Sequence, residues 1–104
     1  MKNALIICAG GMSSSLLAKK VSDKFVADGK NIKVNATGTG EGAEAMENDD
    51  YDLYLISPQT KMHYNRLAKI AEAHNKPVVN IPAPAYVQIP MGIDKLAKLI
   101  EENI

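Results

Sequence analysis

Short apolar segments that alternate with helix-period stretches constrain this chain more than any other feature. The first, Ala4-Leu5-Ile6-Ile7, is continuous and ends at Cys8, and the next, Ile32-Lys33-Val34-Asn35-Ala36, alternates apolar with polar residues. Leu53-Tyr54-Leu55-Ile56 is continuous again and stops at Ser57-Pro58, and Val78-Val79-Asn80-Ile81 lies between Pro77 and Pro82. Short runs bounded by Gly, Pro, Asn and Ser read as strands. Continuous runs suit central strands covered on both faces, whereas alternation suits an edge. The first and third strands therefore belong in the sheet centre and the second at an edge.

Between the strands the period is helical. Leu17, Val21 and Phe25 repeat every fourth residue from Ser14 to Asp28, with Gly29 as a stop. Leu67, Ile70 and Ala71 share a face from about Met62 to Asn75, and Pro77 forbids continuation. Ile93, Leu96, Ala97, Ile100 and Ile104 form one stripe from Gly92 onward, and a shorter helix is expected from Glu41 to Asn48. Strand–helix alternation implies right-handed crossovers and a parallel sheet. The expected fold is α/β, a four-stranded parallel sheet of order 2-1-3-4, doubly wound with helices on both faces. Ligands of such sheets bind beyond the carboxyl ends of the strands, where the order reverses. The connections expected to meet there are Cys8 to Ser15, Ser57 to Lys61 and Ile81 to Pro90.

With 104 residues, 46% of them apolar and 23% charged, residues 1–104 read as a single domain with an ordinary core. Twelve basic residues balance twelve acidic ones, which excludes a broad electrostatic footprint for nucleic acid or anionic lipid. One cysteine precludes an internal disulfide, and with only two histidines no zinc cluster or other metal site is expected. No apolar run approaches the ~20 residues of a membrane span. The apolar run after Met1-Lys2-Asn3 is shorter than the ~7–15 residues of a signal peptide. These features suggest a reduced, cytosolic protein.

The stretch Cys8-Ala9-Gly10-Gly11-Met12-Ser13-Ser14-Ser15 leads from a buried strand directly into a helix. Small residues and two glycines let backbone N–H groups converge into an anion nest. The helix start adds positive potential, and three serines supply caps and hydroxyl donors. A thiol beside such a nest should have its pKa lowered from ~8.5 into the range ~3.5–7.5. The bland alternative makes Cys8 a small core residue at a strand end and the loop a tight turn. The chain lacks G-x-x-x-x-G-K-[ST], and Gly38-Thr39-Gly40-Glu41-Gly42 has the wrong spacing for a dinucleotide fingerprint, so it reads as a turn opening a helix.

A cysteine loop after strand 1 also resembles the low-molecular-weight tyrosine phosphatases. Those enzymes clamp the phosphoryl oxygens with an arginine six residues beyond the cysteine. Here Ser14 holds that position, and the only arginine is Arg66. The loop after strand 3, Ser57-Pro58-Gln59-Thr60, contains no acid to protonate a leaving group. A phosphocysteine formed here should resist water, the property of a carrier rather than a hydrolase.

Ile6-Ile7-Cys8-Ala9-Gly10-Gly11-Met12-Ser13-Ser14-Ser15-Leu16-Leu17 resembles the enzyme IIB component, lactose/cellobiose/chitobiose type, of the bacterial phosphoenolpyruvate-dependent sugar phosphotransferase system. The likeness continues through Leu53-Tyr54-Leu55-Ile56-Ser57-Pro58-Gln59 and Val78-Val79-Asn80-Ile81-Pro82. It implies a relay in which phosphohistidine of enzyme IIA passes its phosphoryl group to Cys8, cradled by the backbone from Ala9 to Ser15. The phosphocysteine would then phosphorylate a sugar, such as cellobiose, chitobiose or lactose, held by the membrane component IIC. The resemblance implies no cofactor and a location at the cytoplasmic side of the permease; nothing in the sequence demands a dimer, so the free protein is expected to be monomeric.

His63, Leu67, Ile70 and His74 share a stripe, so the histidines read as a partly buried helix face rather than phosphorylation sites. The acidic group Glu41, Glu44, Glu47, Asp49, Asp50 and Asp52 reads as a solvated face. Met12 is either a partner-contact knob or packing beneath the loop. Pro82-Ala83-Pro84-Ala85-Tyr86 should lie beside Cys8, as docking surface or as mere connection. Four tyrosines are too few for the stacking platform of a single-strand nucleic-acid binder. Two rivals remain. A cysteine phosphatase or arsenate reductase is disfavoured by the missing arginine. A non-catalytic signalling module of the receiver kind needs an aspartate ending strand 3, where this chain has Ile56-Ser57.

Overall fold

The computed structural model describes residues 1–8 and 13–104. Its strands are β1 (Lys2–Cys8), β2 (Ile32–Gly38), β3 (Leu53–Ile56) and β4 (Val78–Asn80), all parallel, in the order β2-β1-β3-β4. The α-helices are α1 (Ser13–Ala27), α2 (Thr39–Glu47), α3 (Tyr64–Ala73) and α4 (Pro90–Asn103). The expected sheet, its order and its central and edge strands are all as the apolar runs indicate. β3 is buried at all four positions and β1 from Ala4 onward, whereas β2 and β4 are largely half-exposed.

Alternate side chains of the central strands feed two cores, one on each face. Ala4, Ile6, Leu53 and Leu55 pack with Leu17, Val21 and Phe25 of α1 and with Leu96, Ala97 and Ile100 of α4. Leu5, Ile7, Tyr54 and Ile56 pack with Met46 of α2 and with Leu67 and Ala71 of α3. Helices therefore cover both faces, and Cys8, next in the strand after Ile7, is delivered to the carboxyl edge of the sheet. Tyr54 is the one large polar side chain at the centre. Its hydroxyl donates to the Ala45 carbonyl at 3.2 Å and accepts from the Tyr51 N–H at 3.3 Å. Burial pushes this phenol above its ordinary value of 10, so it stays a donor.

Helix starts differ from the periodicity near the sheet's carboxyl edge, where α2 opens at Thr39 rather than Glu41. The stretch expected to be helical from about Met62 is preceded by a 3₁₀ segment, Pro58–His63, and the α-helix starts only at Tyr64. Pro58 supplies the fixed φ of a first helical position, and the Ser57 and Thr60 hydroxyls, 2.7 Å apart and buried, tighten that turn. α4 begins at Pro90 rather than Gly92 for the same reason.

Three helices end in one motif. After α1, Gly29 N–H bonds to Val26 C=O and Lys30 N–H to Phe25 C=O; Asp49 and Asp50 repeat the pattern after α2, as do Asn75 and Lys76 after α3. The residue in the left-handed conformation is Gly29 in the first, but Asp49 (φ 56°) and Asn75 (φ 57°) in the others. A side chain there costs backbone energy that glycine does not. Asp49→Gly should therefore raise stability by about 0.5–1 kcal/mol, visible as a Tm higher by a few degrees, because its long 3.8 Å approach to Lys76 is open to solvent on the Asp49 side and contributes little.

Candidate functional site

The connections that leave the carboxyl ends of β3 and β4 each send a side chain to the Cys8 sulfur at the carboxyl end of β1. Tyr86, on the β4–α4 connection, donates its hydroxyl to Cys8 Sγ at 3.3 Å. Gln59, on the β3–α3 connection, accepts from the thiol through Oε1 at 3.6 Å, an ordinary reach for sulfur. The convergence expected from the strand order is thus observed for the β3 and β4 connections, and Tyr86 lies beside Cys8 as expected. Cys8 itself is 2% exposed. Its sulfur nonetheless has the Gln59 carboxamide and the Tyr86 hydroxyl within hydrogen-bond reach.

Each neighbour is held by its own backbone device. Ser57 N–H bonds to the Ile7 carbonyl at 3.0 Å, which ties the turn carrying Gln59 to the residue just before Cys8. Ser57 and Thr60 are both completely buried, and Thr60 N–H returns to the Ser57 carbonyl. The next connection is pinned where Ile81 N–H meets the Ile56 carbonyl at 2.8 Å. A short 3₁₀ turn, Ala83–Ala85, follows, with Ala85 buried in the α1–α4 core and Tyr86 packed against that core. The tyrosine ring is anchored among apolar side chains while its hydroxyl reaches the sulfur.

Ala9, Gly10, Gly11 and Met12 lie outside the described residues, as does the side chain of Ser13. The cradle expected of them, and the two roles open for Met12, are therefore not placed. α1 opens at Ser13, so the amino end of a 15-residue helix follows Cys8 closely in sequence. Ser14 is buried, whereas Ser15 is exposed and lines a cavity of about 630 Å³ with Ser22, Lys33 and Thr37 over the β2 edge. Arg66 is exposed on α3.

His63, the last residue of the 3₁₀ segment, and His74, just past α3, are both half-buried. The acidic group is exposed except for the half-buried Asp52, whose carboxylate accepts from the Asn3 N–H at 2.8 Å. Gly38 ends β2 and Thr39 opens α2, so the glycine-rich stretch is a helix start. No described helix is long and apolar enough to cross a membrane. Sequence reasoning searched the Ser57–Thr60 turn only for an acid and passed over Gln59, although the strand order had already sent that turn to Cys8.

Against known proteins, the family model described as "PTS system, Lactose/Cellobiose specific IIB subunit" matches residues 3–102. The oligo-beta-mannoside-specific EIIB component of the PTS system from Bacillus subtilis (strain 168) is 34% identical over 86 residues, covering 83% of this chain and 82% of that protein. A lactose-specific EIICB component from Lacticaseibacillus casei is 22% identical over 102 residues; the chain spans 98% of itself but only 17% of that relative. Among solved structures, the lactose-specific IIB component domain from Streptococcus pneumoniae superposes with a TM-score of 0.84 at 22% identity, covering 98% of this chain and 96% of that one. The cellobiose-specific phosphotransferase IIB component from Borrelia burgdorferi gives a TM-score of 0.74 at 24% identity, covering 98% and 90%. At those identities the structural likeness speaks for the fold.

Proposed function

The chain belongs to the lactose/cellobiose-specific IIB subunit family of the PTS system, and from that premise we propose that it is a phosphocysteine carrier acting as one IIB domain over residues 1–104. Cys8 accepts a phosphoryl group from phosphohistidine of enzyme IIA and passes it to a sugar, of the β-linked disaccharide class, taken up by the membrane component IIC. The observation that carries this reading is the placement of the one cysteine at the sheet's switch point, with Gln59 and Tyr86 at its sulfur.

The chemistry needs little from the protein beyond position and charge stabilisation. Cys8 gives its proton to water, and the thiolate attacks phosphorus in line. The S–P bond forms as the N–P bond breaks, leaving the electron pair on the imidazole nitrogen. In the second transfer a sugar hydroxyl oxygen forms the new P–O bond, sulfur departs with the S–P pair as thiolate, and the hydroxyl proton goes to water. Backbone N–H groups from Ala9 to Ser15 hold the charge on the equatorial oxygens. Ser14 stands where a phosphatase would carry its arginine, and the Ser57–Thr60 turn contains no acid, so neither group that drives hydrolysis is supplied there.

Docking of IIA and IIC is assigned to the rim of the same sheet edge. Leu16, Met62, Val87, Ile89 and Met91 are exposed large apolar side chains at the start of α1, in the Pro58–His63 turn, and from the β4–α4 connection into α4. The lactose-specific EIICB relatives, of which the matched segment is 10–17%, support a IIC partner. Net neutrality favours apolar docking over long-range steering, and the free protein is read as a monomer. Incubation with phosphorylated enzyme IIA should add one phosphoryl group, located on Cys8 by tandem mass spectrometry. Labelling at His63 or His74 instead would overturn the assignment.

A further inference from the structure

A thiol and a thiolate ask opposite things of their neighbours. The thiol has one proton to donate, whereas the thiolate and a sulfur-bound phosphoryl group only accept. Tyr86 suits both states: its hydroxyl already donates to Sγ at 3.3 Å, and that bond strengthens when the sulfur is charged. Gln59 suits only the first as it stands, because Oε1 accepts the S–H proton at 3.6 Å and would oppose a negative sulfur.

A glutamine, however, carries a donor on the same carbon as its acceptor. Half a turn about the terminal torsion, which has a broad energy profile, exchanges Oε1 for Nε2. Gln59 is exposed, so this rotation displaces no packed neighbour, while its backbone is fixed by the buried Ser57–Thr60 pair. A glutamate at this position could not make the exchange. It would present oxygen in every rotamer, hold the thiol protonated and repel a phosphoryl group.

We propose that Gln59 and Tyr86 are the positioning residues of Cys8, Tyr86 a fixed donor to sulfur and Gln59 an amide that turns from acceptor to donor when the sulfur loses its proton or gains a phosphoryl group. This rests on the phosphocysteine reading above and adds to it a pair of neutral donors supplied by the β3 and β4 connections, beyond the loop that follows Cys8.

The test uses the full chain as wild type, Tyr86→Phe and Gln59→Glu, both near-isosteric. The pH midpoint of Cys8 alkylation by iodoacetamide should rise by about half to one unit in Tyr86→Phe, the worth of one hydrogen bond to sulfur. It should rise by about one to three units in Gln59→Glu, as for a like charge within a few ångströms. In ¹⁵N-labelled wild type, the Gln59 carboxamide resonances should move through the same midpoint. Phosphoryl occupancy from phosphorylated enzyme IIA should fall in both variants. Unchanged midpoints, or a wild-type carboxamide signal insensitive to Cys8 ionisation, would overturn the inference even where wild type is labelled on Cys8. Wild type that takes no label on Cys8, with midpoints shifted as stated, would instead overturn the carrier reading alone. Should a variant fail to fold, the wild-type carboxamide titration decides.

Discussion

Cys8→Ser should abolish phosphoryl acceptance, a loss of at least about a thousandfold, while the protein stays folded. An ordinary thiol with a pKa of ~8.5 is a few per cent ionised at pH 7, whereas an alcohol is about as weak an acid as water, so its ionised fraction is lower by many powers of ten. Greater intrinsic reactivity of an alkoxide recovers only part of that. The fold, by contrast, loses little. A serine hydroxyl can accept from Tyr86 and donate to Gln59 as the thiol does, so the pair of side chains at the sheet edge keeps a partner. The melting temperature should stay within about 5 °C of wild type, since each kcal/mol moves a domain of this size by roughly 4–8 °C. Intact mass after incubation with phosphorylated enzyme IIA, read beside a melting curve, separates the two effects. Wild-type labelling of the serine variant would end the assignment of Cys8 as the carrier.

The sequence discloses the sheet because strand burial leaves a mark that needs no tertiary knowledge. Leu53-Tyr54-Leu55-Ile56 is apolar on both faces because helices lie on both faces, and Ile32 to Ala36 alternates because it borders solvent. From that contrast the order followed, and from the order the arrival of the β3 and β4 connections at Cys8. What stayed hidden was local and cooperative. Gln59 carries no periodicity, and its approach to sulfur depends on the 3₁₀ turn that Pro58 and the Ser57–Thr60 hydroxyl pair impose together. The left-handed residues Asp49 and Asn75 were equally silent, since glycine is the usual signal for that conformation and neither position has one. Tyr86 was legible only as part of a segment, because the contact that aims its hydroxyl lies in the seat of its neighbour Ala85 in the core.

That seat depends on a glycine, and Gly92→Ala should damage both stability and transfer. Gly92 is buried in the first turn of α4, directly beneath the connection that carries Tyr86. A methyl group there would overlap the Val87 carbonyl oxygen, stand 2.5 Å from Val87 Cγ2 and 3.1 Å from the Pro84 carbonyl oxygen. Two of those three atoms are backbone and cannot swing aside as a side-chain tip would. Alanine ordinarily improves a helix by about 0.5–1 kcal/mol, but overpacking of this kind costs about 1–3 kcal/mol, so the overlap wins. The expected result is a Tm lower by roughly 4–15 °C. Relief of the overlap moves residues 84–87 or the start of α4, and with them the Tyr86 hydroxyl. A displacement near 1 Å at a reacting centre can cost about a hundredfold in rate, so phosphoryl acceptance should fall by about tenfold to a hundredfold. Gly40→Ala is the matched control: it too lies in the first turn of a helix, nothing stands within 4 Å of the added carbon, and it should stabilise by about 0.5–1 kcal/mol. Equal melting temperatures for Gly92→Ala and wild type, with an unshifted Cys8 alkylation midpoint, would show that the connection yields freely and that Tyr86 is not held from below.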